Sequence, residues 1–284
     1  EKIPPDTWED VLRAGTKLKK MGHPVGIQLG HSADANAILR GIMWSYGTSE
    51  VAADGKTITI NNPKTVEAVE FVKRLFKDAL DPEVIAWDDA SNNRCITSGK
   101  CSIILNPISA YKAAEKAQQK IKKTDGTEVL SIDVLNHFIP PKGPAGRHMY
   151  AFPLGIGIMN WTKNVDLAKD FIRHHYQKEN FDAFITASDG YNQPLLKAYA
   201  THPIWGTNPK YAFAPEIGKY SHTQGYPGTP TKFSQVVAQL YIIPDMFASA
   251  ATGKMSTKEA IEWAEKEIKE VYAGRKEVAP PAPK

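Results

Sequence analysis

The sequence predicts an α/β fold, and two patterns carry that expectation. Capped amphipathic segments alternate with short apolar runs along the whole chain, where a sandwich would show strands only and a bundle helices only. Between two of those segments, Asp54-Gly55 stands at the centre of a strong hairpin signal.

Each element can be justified in turn. Residues 7–20 read as a helix: Thr7 is a good N-cap, Asp10 stands three residues on, and Val11, Leu12, Ala14 and Leu18 recur at helical spacing. The chain opens on this helix with no apolar targeting segment and no first strand before it, and is expected to lack its natural beginning. Residues 25–29 form a short strand, 30–34 a polar loop, and 35–46 an apolar helix ending near Gly47. Residues 50–60 are the hairpin. Asn62 as N-cap and Pro63 at the first helical position then open a helix whose apolar face includes Val66, Val69, Val72 and Phe76 and runs to Leu80. A helix after Trp87-Asp88-Asp89 is closed by Ser98-Gly99-Lys100, a buried strand covers 101–105, and 109–122 is helical. The run 120–126 is a solvated exit and turn, 138–147 an extended connection, and 150–159 an apolar strand crossing between two bodies. Helices are expected over 165–177, capped by Asn164, and over 180–188. The stretch 200–232 is a surface loop with short helices, and 234–252 a long helix kinked or interrupted by Pro244. Ser256 with Glu259 starts the last helix with a capping box, to Tyr272. The proline-rich tail 278–284 is expected to be disordered.

Composition excludes several classes of function. The net charge of +4 comes from dispersed Lys and Arg, without the basic stripe that nucleic acid requires. No apolar run approaches the roughly 18–20 residues of a membrane span. The two cysteines, Cys95 and Cys101, are two structural cysteines or a local disulfide. The eight histidines form no ligand-spaced set, so no metal and no cofactor is expected.

No catalytic signature stands out. Trp87-Asp88-Asp89 places two carboxylates beside a ring, but adjacent residues seldom face each other across a sugar, and a helix cap explains the same letters. Gly155-Ile156-Gly157 is a fragment of a dinucleotide fingerprint, without its third glycine or following helix. The loops are more informative. His31, Ser32, Asp34 and Asn36 cluster at a strand-to-helix turn; Asn92, Asn93, Arg94 and Asn106 bring amides and a guanidinium to element ends; Tyr111, Trp205 and Tyr226 add flat faces. Neutral, hydroxyl-rich ligands need this mixture of donors, acceptors and ring faces, although the same Asn, Asp and Ser residues also cap helices and make turns.

In their order along the chain these segments resemble family 1 extracellular solute-binding proteins, the maltose-binding-protein-like subunits of ABC importers. The resemblance rests on Pro5-Asp6-Thr7-Trp8-Glu9-Asp10, on Asp54-Gly55-Lys56 followed by Asn62-Pro63, on Thr97-Ser98-Gly99-Lys100 with Asn106, on Trp161-Thr162-Lys163-Asn164, and on Ala251-Thr252-Gly253-Lys254. It covers residues 4 to about 274.

The resemblance implies a two-lobe periplasmic-binding-protein type II fold, here mostly the carboxy-terminal lobe with the returning part of the amino-terminal lobe. On that reading 1–150 and 204–277 belong to the carboxy-terminal lobe, and 151–203 is the return with its crossings. It further implies a periplasmic or extracellular, non-enzymatic binder of a sugar or polyol. Such a protein closes by a hinge on its ligand and delivers it to ABC permease subunits; it is expected to be a monomer, peripheral to the membrane through that permease. The ligand contacts expected are His31, Ser32, Asp34, Asn36, Asn92, Asn93, Asn106, Tyr111, Tyr226, Gly228 and Thr229. The family's stacking Trp near 109–111 has no match here, which argues against maltodextrin. Two rival expectations are an anionic solute such as a phosphorylated polyol, held by Arg40, Arg94 or Lys112, and a glycosidase using Asp88 or Asp89.

Overall fold

A computed structural model describes residues 4–123, 125–193 and 196–278. The chain forms two compact units, one from 1–151 with 220–284 and the other from 152–219.

The first unit begins with helix α1 (Trp8–Lys20), whose Thr7 and Asp10 form the reciprocal capping box. Strand β1 (Val25–Gly26) leads to helix α2 (Ala33–Ser45), which is capped by Ser32 and buried over almost its whole length. The 50–60 segment turns back through one antiparallel bridge, Val51 to Ile58, with the Asp54 carboxylate accepting from the Lys56 and Thr57 amides. Helix α3 (Pro63–Asp78) starts on the Asn62 cap, as its sequence predicts. Helix α4 (Ser91–Thr97), strand β2 (Ile103–Ile104) and helix α5 (Ser109–Ala117) follow.

The helix expected over 109–122 stops at Ala117. Gln118 takes a left-handed backbone (φ 48), and β3 (Lys120–Lys122) pairs antiparallel with β4 (Glu128–Leu130) before a short α6 (Ser131–Val134). Strands β5 (Lys142–Gly143) and β6 (Gly146–Arg147) make a small hairpin, and β7 (Met149–Tyr150) ends the outgoing chain.

The second unit holds α7 (Val165–His175), α8 (Lys178–Ala187), short turns of 3-10 helix, and α9 (Ala214–Ile217). The strand expected over 150–159 ends at Tyr150, and residues 152–159 have no strand partner among the described residues. The lobe division expected at 203/204 falls within this unit. Trp205 and Tyr211 are buried in it, with Trp205 Nε1 donating to the Tyr199 carbonyl (2.7 Å) and Gly190 lying against the Tyr211 ring.

The chain returns to the first unit at Tyr220 and forms β8 (Ser221–His222), parallel to β7. The expected long helix is two: α10 (Lys232–Gln239) and α11 (Ile242–Ala251). Pro244 explains the break, because it lacks an N–H and its ring clashes with the carbonyl four residues back, at Leu240. Tyr241 takes up the turn with φ 53. Helix α12 (Thr257–Tyr272) opens on the Ser256–Glu259 capping box. The expected disorder at the tail falls on residues that, apart from Val278, lie outside the described ones.

The core of the first unit packs the apolar faces of α1, α2, α3, α11 and α12 around Ile42, Trp44, Phe71, Leu75, Phe247 and Ile268. At its edge Cys95 and Cys101 are bonded, with their Cα atoms 5.2 Å apart. Their loop is short enough, and Gly26 bare enough, for the disulfide to sit against β1: a Cβ on Gly26 would meet the Cys101 sulfur at 2.8 Å.

Candidate functional site

β1 and β2 are parallel in register, and Val25 also bridges in parallel to Leu80. The carboxyl ends of these three extended segments therefore open on one side. They lead into Gly30 and α2, into Trp87-Asp88-Asp89 and α4, and into Asn106 and α5. Ligands of open α/β sheets bind in this position.

A connected polar network fills it. Ser32 caps α2 by accepting from the Ala35 amide (3.0 Å) and donates to Gln28 Oε1 (2.5 Å), while Gln28 Nε2 donates to the Asp88 carbonyl (2.9 Å). Asn92 Nδ2 donates to Asp34 (2.7 Å) and to Asn106 Oδ1 (3.0 Å). Asn106 Nδ2 in turn donates to Asn93 Oδ1 (2.6 Å) and reaches Ser109 Oγ (3.2 Å). Asp89 Oδ1 accepts from the Asp34 amide (3.1 Å). Asn92 and Ser32 are buried, whereas Asn93, Asn106 and Ser109 are part-exposed and Asp88 and Asp89 are open to water. Burial pushes the Asp34 carboxyl up to about 6, against the Asn92 bond, with the nearby Asp89 charge adding to the rise. Gly30 lets the chain pass here, because a Cβ would stand 2.5 Å from the Ile85 carbonyl.

The structure thus brings Ser32, Asp34, Asn92, Asn93 and Asn106 together. His31 lies at the rim. It is mostly exposed, stacked on Tyr241 at 4.7 Å between ring centres, and 2.6 Å from Asp245 Oδ1. Asn36 has both ends of its amide engaged, donating to the Ala238 carbonyl (3.0 Å) and accepting from Arg40 (2.5 Å). Tyr111 is buried with its ring against His137 and offers no open face. Gly228 packs on the 50–60 turn, 3.1 Å from the Ala53 carbonyl if given a Cβ, and Thr229 lies beside it. Tyr226 belongs to a separate aromatic group with Trp44, Tyr150, His148 and His222.

Sequence reasoning missed Gln28, Ser109, Asp245 and Tyr241 as neighbours of this network. Ser109 and Gln28 read as ordinary helix-start and strand residues. Asp245 and Tyr241 lie more than 200 residues from His31, and only the tertiary fold joins them.

The cations named for an anionic solute each have a carboxylate partner. Arg40 is fully buried and held by Glu50 (2.6 Å), Arg94 pairs with Asp88 (2.8 Å), and Lys112 pairs with Glu115 (2.5 Å). The Ser91 hydroxyl, with Arg94, holds the Asp88 carboxyl below the usual range, which suits a fixed anion closing a turn and not a general acid. No group of three or more His, Cys, Asp or Glu that could hold a metal occurs among the described residues. No helix among them is long and apolar enough to cross a membrane.

The family described as bacterial extracellular solute-binding protein matches residues 1–214. A probable ABC transporter-binding protein of Deinococcus radiodurans is 23% identical over 270 residues, covering 90% of this chain and 59% of that protein. The structure is similar to a sugar transporter of Arthrobacter chlorophenolicus A6 solved with laminaribiose (TM-score 0.74, 20% identity, 94% of this chain and 65% of that one). It is also similar to an ABC transporter solute-binding protein of Agrobacterium radiobacter K84 solved with ribitol (TM-score 0.72, 16% identity, 94% and 65%). The chain therefore spans about three fifths of the curated relative and just under two thirds of these solved chains. It belongs to the bacterial extracellular solute-binding protein family and has the α/β fold of such proteins.

Proposed function

We propose that this member of the bacterial extracellular solute-binding family is the capture subunit of an ABC importer, and that its first unit supplies one wall of a site for a neutral sugar or polyol. The observation that carries this reading is the Asp34–Asn92–Asn106–Asn93–Ser109 network at the carboxyl ends of the parallel strands. Side-chain amides there donate and accept together, as vicinal hydroxyls require. Part-exposed Asn93, Asn106 and Ser109 face the ligand, with Asp88, Asp89 and the His31–Tyr241 stack at the rim. Asn92 holds Asn106 in place, and Ser32 with Gln28 ties α2 to the Asp88 segment. The relatives solved with laminaribiose and ribitol support the ligand class. On this reading the first unit belongs to the carboxy-terminal lobe and the second to the returning part of the amino-terminal lobe. The protein works outside the cytoplasmic membrane as a monomer, meets the membrane through its permease, and turns over no substrate.

Isothermal titration of the full-length protein with laminaribiose, ribitol, maltose, tagatose and their phosphates tests the reading. A neutral ligand should bind with little salt dependence, and Asn106→Ala should weaken it by up to about tenfold, as expected for one or two lost hydrogen bonds. Binding of phosphates alone, falling steeply with salt, would sink it.

A further inference from the structure

The chain leaves the first unit one residue after β7 and re-enters it one residue before β8. The two passages run side by side: Met149 pairs with Ser221 and Tyr150 with His222, and the Ala151 amide donates to the His222 carbonyl (2.7 Å). Across this short ladder His148 Nδ1 and His222 Nε2 lie 2.9 Å apart, within hydrogen-bond reach. The pair is half-buried under aromatic rings. His222 stacks on Tyr226 at 3.7 Å and meets the edge of Trp44 at 5.8 Å, and His148 lies 5.7 Å from Tyr226.

We propose that the His148–His222 pair is an acid-sensitive strap on the two passages that join the units. An imidazole–imidazole bond needs one N–H and one lone pair. The neutral pair supplies both, and so does the pair carrying a single extra proton. A second proton removes the lone pair and sets two positive charges 2.9 Å apart, so the bond is lost and the charges repel. The ladder has only two residue pairs, and beside the histidine bond the passages are joined by Tyr150 Oη donating to Gln224 Oε1 (2.5 Å) and by Arg147 over the Tyr220 ring.

The surroundings favour this outcome. Burial lowers both imidazoles from the ordinary 6.5; a backbone bond at Ala145 partly offsets this for His148, and the His148 charge lowers His222 further. Among the described residues neither imidazole has a carboxylate partner. Tyr226 is the ionisable ring against both; Tyr150 and Arg147 lie on the outgoing passage and Tyr220 on the return, and Arg40 and Glu50 act on Tyr150. Glu50 neutralises Arg40, and Asp6 neutralises Arg147. Groups whose folded pKa is depressed in this way hold their stabilisation above the unfolded value, near 6.5, and lose it as the pH falls below that value. The proposal stands on the first unit alone and is independent of the sugar reading.

Histidine Cε1–H NMR titration and amide hydrogen exchange of the full-length protein test it. Two mutually coupled resonances should titrate below 6.5. Exchange at Met149 and Ala151, corrected for intrinsic pH dependence, should rise at least tenfold between pH 7.5 and pH 4.5. His222→Gln keeps a donor for His148 but takes up no proton, and should cut that rise to under threefold; His148→Gln provides the same check if His222→Gln misfolds. Uncoupled titration of both residues near 6.5, or a rise in exchange that survives either variant, would overturn the strap. If neither variant folds, the wild-type titration alone decides.

Discussion

The two units carry similar helical sequence patterns and end in opposite packing. In the first, α3 turns Ala68, Val69, Phe71, Val72 and Leu75 into a core that excludes water from all of them. In the second, α7 is as plainly amphipathic yet buries none of its residues; Leu167 is 70% and Phe171 60% exposed. Leu154 and Trp161 are exposed beside it, and Ile156, Ile158, Leu167 and Phe171 line an open hollow. Periodicity therefore encodes that a face is apolar, and says nothing of what meets it. Contiguous exposed apolar patches of this kind mark surfaces with work to do. Among the described residues nothing covers this one.

Substitutions in the two units should break that symmetry by known amounts. The largest effect is expected at Arg40. Arg40→Ala strands Glu50, which is buried and already has one oxygen without a partner, and should cost about 3–5 kcal/mol in urea unfolding. Phe247→Ala, in the core of the first unit, should cost about 3–5 kcal/mol by opening a cavity. Cys95→Ser with Cys101→Ser removes a bond closing a six-residue separation, and should cost about 2–3 kcal/mol with a fall in melting temperature that reductant reproduces in the wild type.

A smaller and pH-dependent effect is expected at Asp34. Its folded carboxyl titrates near 6 and an ordinary one near 3.8, so between those values the native state holds a proton that the unfolded chain has lost. The stability of the neutral form is complete below about pH 4 and declines as the pH rises through 6. Asp34→Asn should therefore be about 1–2 kcal/mol more stable than wild type at pH 8 and no different at pH 4, read from urea midpoints. Least of all, Phe171→Ser in the second unit should change stability by less than about 0.5 kcal/mol while lowering binding of an apolar dye.

Local chemistry made much of the fold legible. The Thr7–Asp10 and Ser256–Glu259 boxes, the Asn62–Pro63 start and the Asp54-Gly55 turn each follow from side chains bonding to nearby backbone. What escaped depends on distance. Gln118 stops α5 through a left-handed backbone that no sequence signal announces, and the strand expected after Tyr150 finds no partner among the described residues. Within the site, Ser32, Asp34 and the asparagines could be singled out because amides and carboxylates at strand ends read as polar clusters. Tyr111 and Asn36 looked equally eligible, yet one ring is buried and the other amide is already spoken for. Burial and prior engagement are properties of the folded chain.

Helix α2 has one more consequence. Its first turn carries Ser32 and Asp34, its middle Arg40, and its last turn Trp44 against His222. Thirteen helical residues make a rod of about 20 Å, and almost every side chain on this one is gripped by its neighbours. A close-packed interior of low compressibility passes a push along with little absorbed on the way. Mechanically, then, α2 is a stiff shaft that runs from the polar network at its first turn to the His222 ring at its last.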